Sequence, residues 1–328
     1  MILVTGGTGF VGSHLLRHLI GKKEKIRVLF RDKTKLRQFG GHIGVEPFYA
    51  DLTDSSSLIG ITKNVDVVFH LAAVINAKEE LRDFYWSINV QGTYNLLKAF
   101  QKEREQLKRF VFCSSVGVMG HLRSIPANED TICAPNNLYE KSKYEAEGLV
   151  KEFCDKEGLP ASIIRPSWVY GPGDKRTLKL FRAISNKRFI NIGDGKTLIH
   201  PVYVEDIVQG LMLCASKDEA LGQTYIIAGE KAISLEKLMN VIAENCNTHI
   251  PRIGIPLWFA KIIAILCEIV YKPFSMKPPI SRRRLEFFLK DQYFDISKAQ
   301  NEIGFKPVYK LAQGIKQTVK WYRDNKYL

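Results

Sequence analysis

The stretch Ile2-Leu3-Val4-Thr5-Gly6-Gly7-Thr8-Gly9-Phe10-Val11-Gly12 leads an apolar strand pattern directly into glycines at positions 6, 9 and 12. The first glycine would allow a tight turn, the second would let a pyrophosphate approach the backbone, and the third would let a helix pack against the strand. An amphipathic pattern over residues 11–20 supplies that helix, whose N-terminal N–H groups can bind phosphates. The stretch therefore predicts a dinucleotide-binding turn.

Apolar runs alternate with helical patterns from this turn onward. Strand patterns cover residues 1–5, 26–30, 45–49, 65–71, 109–114 and 162–166, and helical patterns cover 11–20, 88–100 and 139–157. This alternation predicts a parallel sheet with helices on both faces. The runs at 67–71 and 110–112 are apolar almost throughout, as is typical of strands buried on both faces, so we expect them at the centre of the sheet.

The pattern becomes irregular after Tyr170, where glycine and proline interrupt the chain. We therefore expect the α/β class, with a Rossmann-type doubly wound parallel sheet and a smaller C-terminal substrate lobe. Residues 1–170 would form the dinucleotide-binding domain, joined by a returning segment at about 197–228. Residues 171–196 and 229–328 would form the lobe.

The chain of 328 residues is 45% apolar and 25% charged, which is ordinary for a globular protein and excludes a disordered, collagen-like or coiled-coil chain. Its six cysteines are scattered without zinc-type spacing, so we expect neither a metal site nor a disulfide framework. Forty-eight basic and thirty-four acidic residues give a formal net charge of +14. That charge predicts attraction to phosphates or anionic lipid, and no nucleic-acid partner is assigned.

Residues 253–271 form the longest apolar segment. It approaches the ~20 residues that a membrane-spanning helix needs, but Pro256, Lys261 and Glu268 interrupt it. One interpretation is an amphipathic helix that covers an apolar substrate pocket or makes peripheral contact with a membrane, and the other is a buried core helix. At the N-terminus, the apolar strand begins at once and leaves no room for a signal peptide, so we expect a cytoplasmic location.

The end of the second predicted strand bears on the choice of cofactor. An acid there accepts hydrogen bonds from a ribose 2′-hydroxyl, whereas an arginine pairs with a 2′-phosphate. The sequence reads Phe30-Arg31-Asp32-Lys33, with Phe30 in the place of the acid. Arg31 and Lys33 therefore favour NADP(H) over NAD(H), although a register shift of two residues would bring Asp32 to the ribose.

Together these motifs resemble the extended short-chain dehydrogenase/reductase family, which contains NAD(P)-dependent epimerases, dehydratases and hydroxysteroid-type dehydrogenases. The resemblance covers nearly the whole chain. Besides the glycine turn, it rests on Asp51-Leu52, His70-Leu71-Ala72-Ala73, Asn89-Val90-Gln91-Gly92-Thr93, Ser114-Ser115, Tyr139-Glu140-Lys141-Ser142-Lys143, Arg165-Pro166, Val169-Tyr170-Gly171-Pro172-Gly173-Asp174 and Val202-Tyr203-Val204-Glu205-Asp206. It implies an enzyme that uses NAD(P), a small-molecule substrate and a homodimer formed through the helices that carry Asn89 and Tyr139.

Tyr139 and Lys143 stand four residues apart and so share one face of a predicted helix. There the ammonium could favour the phenolate, because a tyrosine with its ordinary pKa of ~10 is a poor base at neutral pH. The resemblance implies that this pair is catalytic, that Ser115 orients the substrate oxygen and that Asn89 holds the lysine and the central helix; a helix cap is the other interpretation of Asn89. The predicted cofactor-binding set is Gly6, Thr8, Gly9, Phe10, Val11, Gly12, Arg31, Lys33, Asp51, Leu52, Leu71, Ala72, Ala73, Ser114, Tyr139, Lys143 and Pro166.

The reaction type depends on residues beside this set. Dehydratases of the family carry an Asp-Glu pair where this chain has Val116 and Gly117, so water elimination is disfavoured. Nucleotide-sugar enzymes of the family direct an asparagine and an arginine at the diphosphate, where this chain has Trp168 and Ile199. We therefore expect reversible hydride transfer at a secondary alcohol or ketone of an apolar substrate, similar to a hydroxysteroid or a dihydroflavonol.

Two alternatives stay open. Lys175, Arg176 or Arg282 could supply the charge that a diphosphate needs, which leaves a UDP-sugar 4-epimerase as the competing function. A non-catalytic, cofactor-binding assembly subunit is the alternative from another class, and the intact Ser-Tyr-Lys set opposes it. His70 and His200 lie amid apolar residues and are interpreted as hydrogen-bonded core groups.

Overall fold

The computed structural model describes residues 1–32, 42–75, 82–101, 106–251, 254–271, 278 and 281–328. Its strands are β1 (Ile2–Thr5), β2 (Ile26–Phe30), β3 (Val45–Tyr49), β4 (Val67–His70), β5 (Arg109–Cys113), β6 (Ala161–Pro166), β7 (Trp168–Tyr170), β8 (Leu198–Ile199), β9 (Pro201–Tyr203), β10 (Thr224–Ile227) and β11 (Ile233–Ser234). Its α-helices are α1 (Phe10–Gly21), α2 (Arg82–Tyr85), α3 (Gly92–Gln101), α4 (Leu138–Glu157), α5 (Leu178–Ser185), α6 (Val204–Ser216), α7 (Leu235–Asn245), α8 (Leu257–Tyr271), α9 (Arg282–Leu285), α10 (Ser297–Ile303) and α11 (Leu311–Asp324).

Seven of these strands form one sheet in the order β10-β6-β5-β4-β1-β2-β3. All its pairings are parallel, and in register Val4 stands between Val28 of β2 and Phe69 of β4. The strand order reverses between β1 and β4, and such a reversal opens a crevice at the carboxyl ends of the strands. This arrangement confirms the predicted Rossmann-type doubly wound sheet, with β4 and β5 in its interior.

Each face of the sheet buries a separate layer of apolar side chains, because successive residues of a strand point to opposite faces. One layer joins Val4, Val28, Phe69, Val111 and Ile164 to residues of α1 and α6. The other joins Leu3, Leu29, Val68, Phe110 and Ile163 to residues of α3 and α4. The two layers fix where the strand ends and the helix starts meet, and that edge carries the candidate site.

Helix α4 has well-defined signals at both ends. At its start, Asn137 accepts a hydrogen bond from the Glu140 N–H (3.0 Å), while the Glu140 carboxylate accepts one from the Asn137 N–H, which together form a capping box. At its end, Gly158 takes the left-handed conformation with φ 64°. These signals place Tyr139 in the first turn of the helix, beside the end of β5.

The C-terminal part of the chain adds smaller elements to this frame. Strand β7 pairs with β9, β8 pairs with β11, and β10 returns to the edge of the main sheet beside β6. The apolar segment forms α8 from Leu257, and Pro256 precedes it with a carbonyl that accepts the Phe259 and Ala260 N–H groups. Ile253 lies outside the described residues. In the part of the chain that the structure describes, no helix has the length and apolar character needed to cross a membrane.

Candidate active site

The turn between β1 and α1 depends on glycine at two positions. Gly6 has φ +70°, and a Cβ there would lie 2.6 Å from the Ala72 nitrogen. A Cβ on Gly12 would lie 2.2 Å from the Gly6 carbonyl oxygen. Gly9 begins the helix, and no side chain caps it there, so the first N–H groups of α1 remain available to an anion.

A cavity of about 1190 Å³ opens at this turn, and a second of about 290 Å³ shares Gly6, Thr8 and Gly9 with it. The larger cavity is lined by most of the predicted residues: Gly6, Thr8, Gly9, Phe10, Val11, Gly12, Leu71, Ala73, Ser114, Ser115, Tyr139 and Pro166. The smaller cavity adds Arg31, Asp51, Leu52 and Ala72. Lys33 lies outside the described residues. Asn89 and Lys143 line neither cavity and are buried behind the larger one.

The residues at this edge fit a dinucleotide. The Ser114 hydroxyl lines the larger cavity, is buried and makes no hydrogen bond within the described chain, although buried hydroxyls normally have a partner. The uncapped turn at Gly9 offers backbone N–H groups to the same space. The phosphates and polar groups of a bound dinucleotide would supply hydrogen-bond partners for the Ser114 hydroxyl and for the N–H groups at the start of α1.

Ser115 and Tyr139 meet at the wall of the larger cavity. The Ser115 hydroxyl accepts a hydrogen bond from the Gly117 N–H (3.1 Å), which caps the 3₁₀ turn Val116–Met119, and it lies near enough to the Tyr139 phenol to influence its pKa. Burial raises the pKa of Tyr139 above its ordinary value, and Cys113 adds to this, while Arg176 and Ser115 oppose it. The phenol is therefore protonated at neutral pH.

Lys143 is 1% exposed, and its Nζ lies 4.0 Å from the centre of the Phe112 ring. Burial lowers the pKa of Lys143 to about 8, against the opposing influence of Cys113 and Glu147. The expectation that this ammonium lowers the pKa of Tyr139 does not match the structure. Desolvation of the phenol outweighs the nearby charges, and the main cation that acts on it is Arg176.

Asn89 lies in a π-helical turn, Trp86–Gln91, and is fully buried. Its side-chain amide hydrogen-bonds to both backbone groups of Val74 (2.8 and 3.1 Å) and to the Ser142 hydroxyl (2.9 Å). It thereby joins the segment after β4 to α4, one residue before Lys143. These contacts differ from those of a helix cap and fit the predicted role of holding the central helix.

His70 is fully buried between the hydroxyls of Thr5 (2.6 Å) and Thr93 (2.9 Å). Burial, with a smaller effect of Lys143, lowers the pKa of His70 to about 3. His200 donates to the Gly229 carbonyl and accepts from the Phe294 N–H, and burial lowers its pKa to about 4. Both histidines are neutral, hydrogen-bonded core groups, as the sequence predicted.

Comparisons with known proteins agree with this geometry. The model of the NAD-dependent epimerase/dehydratase family matches residues 2–228. The chain belongs to that family. It is 30% identical to 3β-hydroxysteroid-dehydrogenase/decarboxylase isoform 1 of Arabidopsis thaliana, over 97% of this chain and 78% of the relative. It is 27% identical to the 3β-hydroxysteroid dehydrogenase/Δ5→4-isomerase of Mycobacterium tuberculosis, over 98% and 90% of the two chains.

Solved structures of the family share its fold. UDP-glucose 4-epimerase of Thermotoga maritima aligns over 99% of both chains with a TM-score of 0.79 and 23% identity. The protein is an extended short-chain dehydrogenase/reductase and an NAD(P)-dependent enzyme of the epimerase/dehydratase family.

Several lining residues of this family member escaped sequence-based prediction. They include Cys113, Trp321 and Tyr327, whereas Arg176, which also lines the cavity, was expected only as a possible partner of a diphosphate. Arg176 is held by Asp174, which is fully buried, through a contact of its Nε with Oδ1 at 3.0 Å. Trp321 and Tyr327 come from α11 and the residues after it, so only tertiary packing brings them to the cofactor turn, and no local motif signals them.

One expectation about the substrate side is wrong in the described structure. No residue of Leu257–Tyr271 lines either cavity, because α8 packs instead against Leu285 and its neighbours. Ile199 is buried in β8, is paired with Ile233 and lines neither cavity. Trp168 also lines neither cavity and stacks on Tyr170 at 5.9 Å.

Proposed function

We propose that this enzyme catalyses reversible hydride transfer at a secondary alcohol or ketone of an apolar substrate of the hydroxysteroid type. The observation that carries the proposal is that Ser115 and Tyr139 line the same cavity as the glycine turn. Two relatives, at 30% and 27% identity, are named as 3β-hydroxysteroid dehydrogenases. A dihydroflavonol-like ketone would need the same set of groups.

The protein's own groups would handle the proton and the orientation of the substrate. Bound nicotinamide would supply the hydride acceptor or donor. Ser115 would hold the substrate oxygen through its hydroxyl, and Tyr139 would exchange a proton with that oxygen. Because burial keeps the phenol protonated, it is prepared to act as the acid when a ketone is reduced. Lys143 of α4 does not line the cavity and would act as a buried cation.

The walls of the larger cavity suit an apolar body. Beside the reacting pair, the cavity is lined by Phe10, Val11, Ile20, Leu71, Val74, Ile75 and Val169. Burial of apolar area contributes roughly 25 cal/mol per Å², so these apolar walls can contribute to binding a sterol-sized skeleton, although Arg17, Lys175 and Arg176 line the cavity as well.

The proposal is tested by following nicotinamide absorbance with a panel of 3β-hydroxysteroids, dihydroflavonols and UDP-sugars. We expect turnover of a hydrophobic alcohol or ketone, and Tyr139→Phe should lower kcat about 10²–10⁴-fold while leaving cofactor affinity nearly unchanged. Tyr144→Phe, which removes an exposed hydroxyl from the same helix, is the matched control. Near-normal turnover by Tyr139→Phe would contradict the assignment of the acid.

A nucleotide-sugar 4-epimerase is the second candidate, because Lys175 and Arg176 line the larger cavity and could meet a diphosphate. Arg282 does not contribute there, since its Nε bonds to the Glu268 carboxylate at 2.8 Å beside α8. Calorimetric titration of UDP and UDP-sugars into the cofactor-loaded protein separates the two candidates. Micromolar binding of any of them would favour the epimerase.

For the cofactor, we propose a preference for NADP(H) over NAD(H). Arg31 lines the smaller cavity and is 57% exposed, and its Nη1 lies 3.6 Å from the Asp51 carboxylate. A 2′-phosphate could compete for this guanidinium through a charge-assisted hydrogen bond. Arg31→Ala should reduce NADP(H) affinity about tenfold and leave NAD(H) affinity as the internal control. Equal affinities of the unaltered protein for both cofactors would refute the preference.

Three broader proposals accompany these. A cytoplasmic location is supported by the six cysteines, all of which are free thiols. A homodimer through α3 and α4 is supported by exposed aromatic side chains on them, Tyr94 and Tyr144. The division into residues 1–170 with 197–228 and residues 171–196 with 229–328 is supported by the pairing of β10 with β6.

A further inference from the structure

Helix α8 exposes a continuous apolar face. Its members recur at helical spacing and none is polar: Trp258, Phe259, Ile262, Ile265, Leu266, Ile269 and Val270. Trp258 is 65% exposed and Ile269 is 62% exposed. Isolated exposed apolar residues are ordinary, but a contiguous stripe of this kind marks a surface that binds something.

The opposite face of α8 shows that this exposure is fixed by packing. Ala260 and Ala264 are buried, and they pack with Leu285 against Ile192 and Ile255. The small alanines bring the helix close to the lobe, so the larger side chains must point outward. Strand-like contacts between Ile192 and Ile255 hold the start of the helix, and the 54% exposed Ile190 extends the apolar surface beside it.

The charge of the segment that contains α8 identifies the chemistry of the partner. In the sequence, residues 251–290 contain eight basic and two acidic side chains, which is a large share of the protein's net +14. Lys261 is exposed at the edge of the stripe. The acid of the helix, Glu268, is paired with Arg282. An exposed apolar face within a segment of excess positive charge complements a surface that is apolar beneath and anionic above, as an anionic bilayer is.

The length of α8 argues against a membrane-spanning helix. Its 15 residues span roughly 22 Å, which is shorter than the ~30 Å hydrocarbon core that a spanning helix must cross. A helix lying in the plane of a membrane surface does not need that length.

We propose that α8 docks the enzyme on anionic lipid membranes, with Trp258, Ile262 and Ile269 inserted among the acyl chains and Lys261 at the headgroups. Insertion of such a helix reaches about 5–10 Å below the headgroups. The inference concerns the outer surface of the lobe and does not depend on which substrate the enzyme turns over.

The test is co-sedimentation of the full-length protein with vesicles of phosphatidylcholine alone and with vesicles that also contain phosphatidylglycerol at one part in four. We expect binding to the anionic vesicles to exceed binding to the neutral ones by about tenfold or more and to weaken with added salt. Ile269→Glu should reduce the binding by about tenfold or more, because it removes apolar insertion and adds a negative charge. Ile59→Glu, which alters an 82% exposed isoleucine in the sheet domain, is the matched control and should bind like the unaltered protein.

Two further measurements keep the outcomes separate. Circular dichroism and cofactor binding establish that Ile269→Glu is folded. Light scattering over a range of concentrations establishes whether Ile269→Glu changes self-association. The proposal is overturned if the protein ignores both vesicle types, binds both equally, loses binding equally in Ile59→Glu, or uses this face for a dimer that Ile269→Glu dissociates.

Discussion

Helices α4 and α8 distribute polar and apolar residues in opposite ways. Helix α4 buries Ser142, Lys143 and Glu147 to within 1% of full burial, whereas α8 leaves Trp258 and Leu266 more than half exposed. In α4, the buried polar groups have specific contacts on β6, on the Phe112 ring and at Asn89. In α8, the exposed apolar groups have no such contacts among the described residues.

The difference shows that hydropathy alone does not decide which side of a helix is buried. A polar residue can be buried where another group forms a hydrogen bond or ion pair with it, and removing that group then strongly lowers the free energy of unfolding. An apolar residue can stay exposed where no other part of the folded chain packs over it. Substitutions of the buried polar residues of α4 should therefore change the free energy of unfolding strongly, and those on the outer face of α8 should hardly change it.

The largest effect is expected from Glu147→Gln. The carboxylate bonds to Arg165 through Nε (3.0 Å) and Nη2 (2.7 Å), and both side chains are almost fully buried. Removing its charge leaves the buried guanidinium without its hydrogen-bonded counter-ion, which should lower the free energy of unfolding by about 3–5 kcal/mol in urea denaturation. Glu152→Gln, on the exposed Lys156 pair of the same helix, should change it by less than about 1 kcal/mol. Equal losses in the two variants would contradict the special status of the buried pair.

A smaller, pH-dependent effect is expected from Lys143→Met. Because the pKa of Lys143 falls from 10.5 to about 8 on folding, the unfolded chain binds more protons between these values. The unaltered protein should therefore gain stability relative to Lys143→Met as pH rises from 8 towards 10, by on the order of 2–3 kcal/mol. Denaturation of both proteins at several pH values measures this difference, and Lys141→Met is the matched removal of an exposed lysine. A difference that stays constant with pH would show that the ammonium is not desolvated.

A third substitution, Ala264→Leu, addresses the inner face of α8. Ala264 has no exposed surface, and a larger side chain would crowd Leu285 and Ile255. We expect the free energy of unfolding to fall by about 1–3 kcal/mol, measured by thermal or urea denaturation. Unchanged stability would mean that α8 does not pack closely on the lobe.

The smallest effect is expected from Leu266→Ser, two residues further along. Leu266 is 56% exposed, so its replacement should change the free energy of unfolding by less than about 0.5 kcal/mol. The same denaturation experiment compares it directly with Ala264→Leu. A loss as large as that of Ala264→Leu would show that the chain itself covers the outer face.

Local signals account for the parts of the fold that sequence reasoning predicted well. The second and third strand patterns, at 26–30 and 45–49, coincide with β2 and β3, because short segments rich in β-branched and aromatic residues between turn residues are typical of strands. The glycine turn is equally local, since a side chain at Gly6 or Gly12 would collide with backbone within the turn or beside it.

Features that depend on distant residues were beyond such reasoning. Spacing placed Lys143 one turn from Tyr139, but the environment of each was set by Phe112, Cys113 and Arg176, which approach only in the folded chain. The same limit applies to α8, whose apolar sequence is compatible with a core helix, a pocket cover or a surface helix. Its two alanines, packed on Leu285, decide that it lies on the surface of the lobe.

The buried hydrogen bonds around His70 have a direction. With its lowered pKa the imidazole carries one proton, so Thr5 donates to Nδ1 and Nε2 donates to Thr93. Thr93 donates in turn to the backbone carbonyl of Asn89. The side-chain amide of Asn89 donates to the Ser142 hydroxyl, which donates to the backbone carbonyl of Tyr139.

The hydroxyls of Thr5, Thr93 and Ser142 each have one proton and one acceptor for it. The orientations of these three hydroxyls are therefore fixed. The backbone carbonyls of Asn89 and Tyr139 can only accept, which forbids the reversed arrangement at Thr93 and at Ser142. Since the pKa of His70 is about 3, these groups do not titrate between pH 4 and neutrality, and the backbone of Tyr139 should keep its position over that range.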